Sequence, residues 1–310
     1  MKIQIAPPQA IYELGQRRNQ EDALFPPCGE ATAADRLFLV CDGMGGHDHG
    51  EVASQTVAET IGRYIADRLP AEAPLPDSLL TDAIAEAYNQ LDARDNPADT
   101  KKMGTTLTLL CLHRGGATMA HIGDSRIYHF RPSTHAILYQ SRDHSLVMDL
   151  YLSGELTRDE IDTYEGKNII TRAMQPAQER RSRPDIVHTT DLRAGDYFLL
   201  CSDGIIETLS DEQLLRHLSA DATDEEKCRR LQQLTIKHQD NHSAYLIRIL
   251  SVEAEPSDAA APNDEATSRA NLINIIRAKE AEDEGTNQPE PIADSQQSNN
   301  WFHRLFSIFK

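Results

Sequence analysis

The chain should fold as an α+β domain whose strands pair antiparallel. Amphipathic stretches over residues 51–69 and 77–95 come first, with apolar positions recurring every three or four residues. A succession of β-like runs then follows at residues 104–113, 117–122, 126–130 and 136–140. Gly-Gly, Gly-Asp and Arg-Pro turns separate these runs, which argues for meandering strands rather than βαβ crossovers. No GxxxxGK[ST] motif occurs, so a P-loop nucleotide fold is excluded.

The first strand signal is Leu37–Cys41, in the stretch LFLVCDGMGGHDHGEVAS. Five apolar residues deliver Asp42 into a glycine-rich bend, where Gly45 and Gly46 permit a sharp turn and close approach to a ligand. Asp42-Gly43 between apolar runs is also a hairpin signal, but a hairpin needs a second strand, and helical periodicity follows instead: Ala53, Val57, Ile61, Tyr64, Ile65. Tyr197–Cys201 followed by Ser202, Asp203 and Gly204 repeats the arrangement ahead of a helix over residues 210–218. Asp240 and Asn241 precede a last apolar run, residues 244–250.

Further acids stand at similar places. Glu21 and Asp22 follow the paired bases Arg17 and Arg18 in GQRRNQEDALF, and Asp124 lies in HIGDSRIYHF. Taken singly, each is an ordinary turn or cap residue. Brought together they would repel one another and require bound cations. Hard oxygen ligands in this number suit Mg²⁺ or Mn²⁺, whereas zinc prefers Cys and His.

Read in order, RRNQED, DGMGGHDHGEVAS, MGTTLTL, HIGDSRIY, RDHSL, SGELT, NIITRAM, LLCSDG and DNHS resemble the metal-dependent serine/threonine phosphatases of the PP2C (PPM) family, bacterial branch. The resemblance runs from about Tyr12 to Leu250. It implies a central antiparallel β-sandwich flanked by helices on both faces, with two metals, Mn²⁺ or Mg²⁺, at one end. It further implies that Asp42 bridges both metals and the Gly43 carbonyl binds one, that Asp203 and Asp240 complete the other shell, and that Asp22, with Glu21, acts directly or through water. Asp124 matches an acid that helps Asp203 hold a third, looser metal. Arg17 matches the arginine that grips the phosphate; Gln20 departs from the usual Asn. The implied chemistry is hydrolysis of phosphoserine and phosphothreonine by direct attack of a metal-bridging water or hydroxide. The leaving alkoxide needs a proton. Some relatives carry a His directly after the metal-loop Gly, but Met44 stands here, which leaves metal-bound water, His47 or His144 as donors.

Composition limits the alternatives. A net charge of −18 argues against nucleic acid as a partner. Five cysteines without a CxxC pair fit a reducing cytoplasm, and Cys41, Cys111 and Cys201 read as buried small hydrophobes. A cysteine-dependent phosphate loop fails because Arg114 follows Cys111 too soon. The HxH of His47 and His49 lacks a further zinc partner. Two functional rivals stay open: a pseudophosphatase or phosphoprotein-binding regulator without turnover, and a small-molecule phosphatase. All the key acids are present, which disfavours the first. Residues 151–173 match the family's flap and carry Glu155, Asp159, Glu160, Asp162 and Glu165, which disfavours the second and suits basic substrate segments.

The expected organisation is a catalytic domain over residues 1–251, a disordered acidic linker over 252–300, and an amphipathic aromatic segment, WFHRLFSIFK, over 301–310. As a helix the segment would span about 15 Å, half a bilayer. It is expected to dock a protein partner or membrane surface, or to fold back. The opening MKIQIAPPQA, without an apolar h-region, is not expected to act as a signal peptide. The expected location is cytoplasmic, with peripheral membrane association through this segment. Phosphorylated proteins and a cognate serine/threonine kinase pathway are the expected partners.

Overall fold

The computed structural model describes residues 1–45, 49–96, 98, 101–161, 163–236 and 239–253. Along the chain run β1 (Lys2–Ile5), β2 (Gln9–Glu13), β3 (Ala23–Phe25), β4 (Leu37–Cys41) and the short β5 (Gly43–Met44), then α1 (His49–Arg68) and α2 (Asp77–Asp92). Strands β6 (Gly104–Thr105), β7 (Leu107–His113), β8 (Gly116–Ile122), β9 (Arg126–Arg131) and β10 (Ala136–Gln140) follow. The remainder is α3 (Leu146–Ser153), α4 (Arg158–Ile161), β11 (Asp185–Thr189), β12 (Tyr197–Cys201), α5 (Asp203–Ile206), α6 (Asp211–Leu218), α7 (Asp224–Thr235) and β13 (His242–Glu253).

Two antiparallel sheets face each other, one in the order β1-β13-β12-β9-β10 with β2 also on β13, the other in the order β11-β8-β7-β4-β3. Alternation along the central strands decides what each sheet buries. Phe38 and Val40 of β4 meet Phe198 and Leu200 of β12 in the core between the sheets. The intervening Leu37, Leu39 and Cys41 pack outward under α1 and α2. Tyr197, Leu199 and Cys201 pack under α5, α6 and α7 on the opposite outer face. Strands covered on both faces must be apolar at every position, and all five residues of β4 are buried. Each large side chain so buried contributes roughly 1.5–3 kcal/mol.

The sandwich with helices on both faces is therefore as expected, and the differences lie at element ends and in short additional elements. The second helix stops at Asp92 rather than residue 95. Ser210 is the N-cap of α6: it accepts from Gln213 N–H at 3.3 Å while the Gln213 side chain accepts from Ser210 N–H at 2.8 Å. The last strand extends to His242–Glu253 because it pairs with β2, β1 and β12 along its length. Strands β1, β2, β3, β5 and β11 and helices α3, α4, α5 and α7 were not anticipated. The exposed-buried alternation of Lys2–Ile5 is the signal that marks β1. Cys41, Cys111 and Cys201 are buried as expected, and all five thiols are free.

Candidate metal and phosphate site

The site forms where both sheets end together. Cys41 pairs with Ala23, so Asp42 and Asp22 leave neighbouring strands side by side. Cys201 pairs with both Arg126 and Ala244, bringing Asp203 beside the Asp124 turn and the Asp240 turn. Ser202 Oγ closes the gap between sheets by donating to Asp22 Oδ2 at 2.9 Å. Six sequence positions, Asp22, Asp42, Gly43, Asp124, Asp203 and Asp240, thus share one end of the sandwich.

Backbone contacts aim these acids. Asp42 donates its N–H to Thr106 Oγ1 at 2.9 Å, and its carbonyl accepts from Thr106 N–H and Thr105 Oγ1 at 2.9 Å each. Gly43 N–H donates to the Glu21 carbonyl at 3.1 Å, and Ser54 Oγ donates to the same carbonyl. A side chain at Gly43 would put Cβ 2.3 Å from the Gly50 carbonyl oxygen, so only glycine lets the bend pass. Asn241 fastens the loop that carries Arg17: its Nδ2 donates to the carbonyls of Leu14 (2.8 Å) and Asn19 (3.0 Å), and its Oδ1 accepts from Glu21 N–H (2.8 Å). Arg17 itself donates from Nη2 to Asp240 Oδ2 at the rim.

The electrostatics are unfavourable for bare carboxylates. Burial, and then repulsion from Asp240 and Glu21, pushes Asp22 up to about 7 despite the hydrogen bond from Ser202. Burial and the neighbouring aspartates push Asp42 and Asp203 well above the usual carboxylate range. Asp124 rises to about 6, through burial first and Asp143 next. Asp22 Oδ1 and Asp203 Oδ1 are buried without a hydrogen-bond partner. Oxygen atoms left unpaired in a desolvated, negatively charged cluster are costly unless something cationic meets them. A set of aspartates and a backbone carbonyl, without sulfur or imidazole, fits hard divalent cations.

Sequence reasoning overlooked Ser202 and Asn241, whose partners lie 180 and 220 residues away. His144 is not placed as a proton donor. It is 3% exposed, and burial and the adjacent His121 lower it to about 4. His47 and Asp48 lie outside the described residues; His49 opens α1.

The sequence profile of protein phosphatase 2C matches residues 14–238. The chain belongs to the protein phosphatase 2C family. Among its relatives in the family, protein phosphatase PhpP of Streptococcus pneumoniae is 30% identical over 212 residues, 68% of this chain and 83% of PhpP. Serine/threonine protein phosphatase PstP of Mycobacterium tuberculosis is 33% identical over 205 residues, 65% of this chain but 36% of PstP. The crystal structure of the M. tuberculosis phosphatase PstP/Ppp superposes with a TM-score of 0.66 at 30% identity, covering 80% of this chain and 100% of that one. A catalytic-domain structure of PstP in complex with two manganese ions gives 0.65 at 29% identity, covering 81% and 100%.

Proposed function

We propose that this phosphatase 2C domain hydrolyses phosphoserine and phosphothreonine in proteins, with Asp22, Asp42, Gly43, Asp203 and Asp240 holding two tight divalent cations and Asp124 helping Asp203 hold a looser third. The observation that carries the assignment is the pair of partnerless buried oxygens, Asp22 Oδ1 and Asp203 Oδ1, within a converging set of aspartates. Bound cations supply Lewis acidity toward phosphoryl oxygens and acidify water. The chain's own residues set the geometry. Asp42, clamped through Thr105 and Thr106, is buried where Asp22, Asp203, Asp124 and Asp240 all repel its charge. Arg17 has 53% of its side chain exposed, which suits a planar fork receiving a phosphate from solvent. Glu21 contributes its backbone carbonyl to the Gly43 turn.

Acidic residues Glu155, Asp159, Glu160 and Glu165 are exposed beside α3 and α4, which supports protein substrates with basic segments. Mn²⁺ and Mg²⁺ both satisfy the donor set. The opposing activity is a serine/threonine kinase. The catalytic part runs two residues past the expected end at 251, because Val252 and Glu253 still pair with Ile3 and Lys2 in β13; a linker from there to 300 and a docking segment over 301–310 rest on composition, because residues 254–310 lie outside those described. No helix of the described residues is long and apolar enough to cross a membrane. A cytoplasmic enzyme held peripherally through residues 301–310 follows from the same compositional reading.

Hydrolysis of phosphothreonine peptides tests the proposal. Activity should require added Mn²⁺ or Mg²⁺ and vanish in chelator, and Asp42→Asn or Asp203→Asn should abolish it in a folded protein. Undiminished turnover in excess chelator, with loss on thiol alkylation instead, would sink the assignment.

A further inference from the structure

Next to the aspartate cluster lies a polar group that the proposed chemistry leaves idle: His121, His144, Asp185 and Arg172. Atoms able to ligate a metal on the two histidines and Asp185 lie within 4.8 Å of one another. The hydrogen bonds of His144 give these residues a different task. Gly123 N–H donates to His144 Nδ1 at 3.1 Å, so the neutral ring carries its proton on Nε2, which faces both Asp185 Oδ2 at 3.3 Å and Arg172 Nη1 at 3.2 Å; only the carboxylate can accept that proton. Arg172 Nη1 donates to the other oxygen of Asp185 at 3.1 Å. The His144 backbone completes the grip: its N–H donates to the Gly123 carbonyl at 2.9 Å, and its carbonyl accepts from Thr171 N–H at 2.8 Å. Leu146 N–H donates to the Ile169 carbonyl at 2.8 Å, closing the base of the 146–170 segment. The ring stacks on His121 with centroids 4.6 Å apart, and His121 stands opposite Asp185 in the β8–β11 register. Gly123 has φ +105° and immediately precedes Asp124.

We infer that His144 is a positioning residue: its Nδ1, kept unprotonated by Asp185, holds Gly123 and thereby fixes the Asp124 carboxylate against the base of the 146–170 segment. This rests on Asp124 being a cation ligand, as proposed above.

Two substitutions separate hydrogen bonding from packing. His144→Leu fills the space without an acceptor. His144→Asn places an amide oxygen where Nδ1 stands but loses the ring stack. With the full-length protein and Mn²⁺ alone as probe, calorimetry on His144→Leu should show the weakest binding step loosened about tenfold or more, the loss usual when a ligand's supporting group is removed, with tighter steps unchanged. The kcat on a phosphothreonine peptide should fall by a similar factor at constant KM, and His144→Asn should recover most of both. Asp185→Ala gives an independent arm. Arg172 Nη1, already 3.2 Å from His144 Nε2, is then left facing that nitrogen without the accepting carboxylate and drives the ring proton onto Nδ1, against Gly123 N–H. That variant should resemble His144→Leu, the Asp185→Ala/Arg172→Ala double variant should reverse the loss, and ¹⁵N shifts should report the tautomer. Equal impairment of the Leu and Asn variants, or a protonated Nδ1 in the unmodified protein, overturns the inference. The metal arm decides it even without peptide turnover, so failure of the phosphatase assignment shows separately.

Discussion

Asp22→Asn should make the metal-free protein more stable, and increasingly so as pH rises. The folded state holds the Asp22 proton up to about 7, against 3.8 for an ordinary aspartate. Between those values the folded protein binds more protons than the unfolded chain, so the wild-type protein loses stability as pH rises through the folded value. Integrating that single titration from pH 5.5 to pH 8 gives roughly 2 kcal/mol at about 1.4 kcal/mol per pH unit. Other groups titrate in the same interval, including His144 in the opposite sense, so the useful quantity is the difference between variant and wild type. Replacing the charge also relieves Asp42, whose rise owes most to burial and next to Asp22, and this enlarges the difference. For a domain of this size the 2 kcal/mol corresponds to roughly 4–8 °C in Tm. The assay is thermal unfolding of both proteins in excess chelator at pH 5.5 and pH 8. The gap between their Tm values should widen by that amount toward pH 8, and saturating Mn²⁺ should then raise the wild-type Tm far more than that of the variant. Parallel Tm profiles in chelator would refute the claim that Asp22 is a desolvated, repelled carboxylate.

Other perturbations have distinct signatures. Arg17→Ala should raise KM for phosphopeptides about tenfold or more with a smaller effect on kcat, since a hydrogen-bonded ion at a binding site is worth roughly 1.5–3 kcal/mol; a pure kcat loss would place Arg17 elsewhere in the chemistry. Asp124→Ala should cut activity while calorimetry still shows the two tight Mn²⁺ steps, and disappearance of a tight step would contradict its assignment to the looser cation. Truncation after Glu253 should leave peptide hydrolysis and Tm nearly unchanged while releasing the enzyme from a membrane or partner fraction of cells. A several-fold change in turnover would instead make residues 254–310 part of the catalytic body.

Local sequence was sufficient wherever one segment carried its own physics. Five consecutive apolar residues ending in Asp-Gly told of a strand buried on both faces and an acid at its end, once at Asp42 and again at Asp203. The periodicity of α1 and α2 needed no partner to be read. The short strands β1 and β11 were missed because their partners, β13 and β8, lie far along the chain, and four or five half-exposed residues have little signal of their own. What tertiary structure decided was convergence. Registers such as Ala23↔Cys41 and Cys201↔Ala244 place the aspartates at one end. A slip of one residue would turn each side chain to the opposite face. Ser202 and Asn241 acquire meaning only there, and His144, read from sequence as a proton donor, changes its role there: each acts through a bond to a backbone or carboxyl group that folding alone brings within reach.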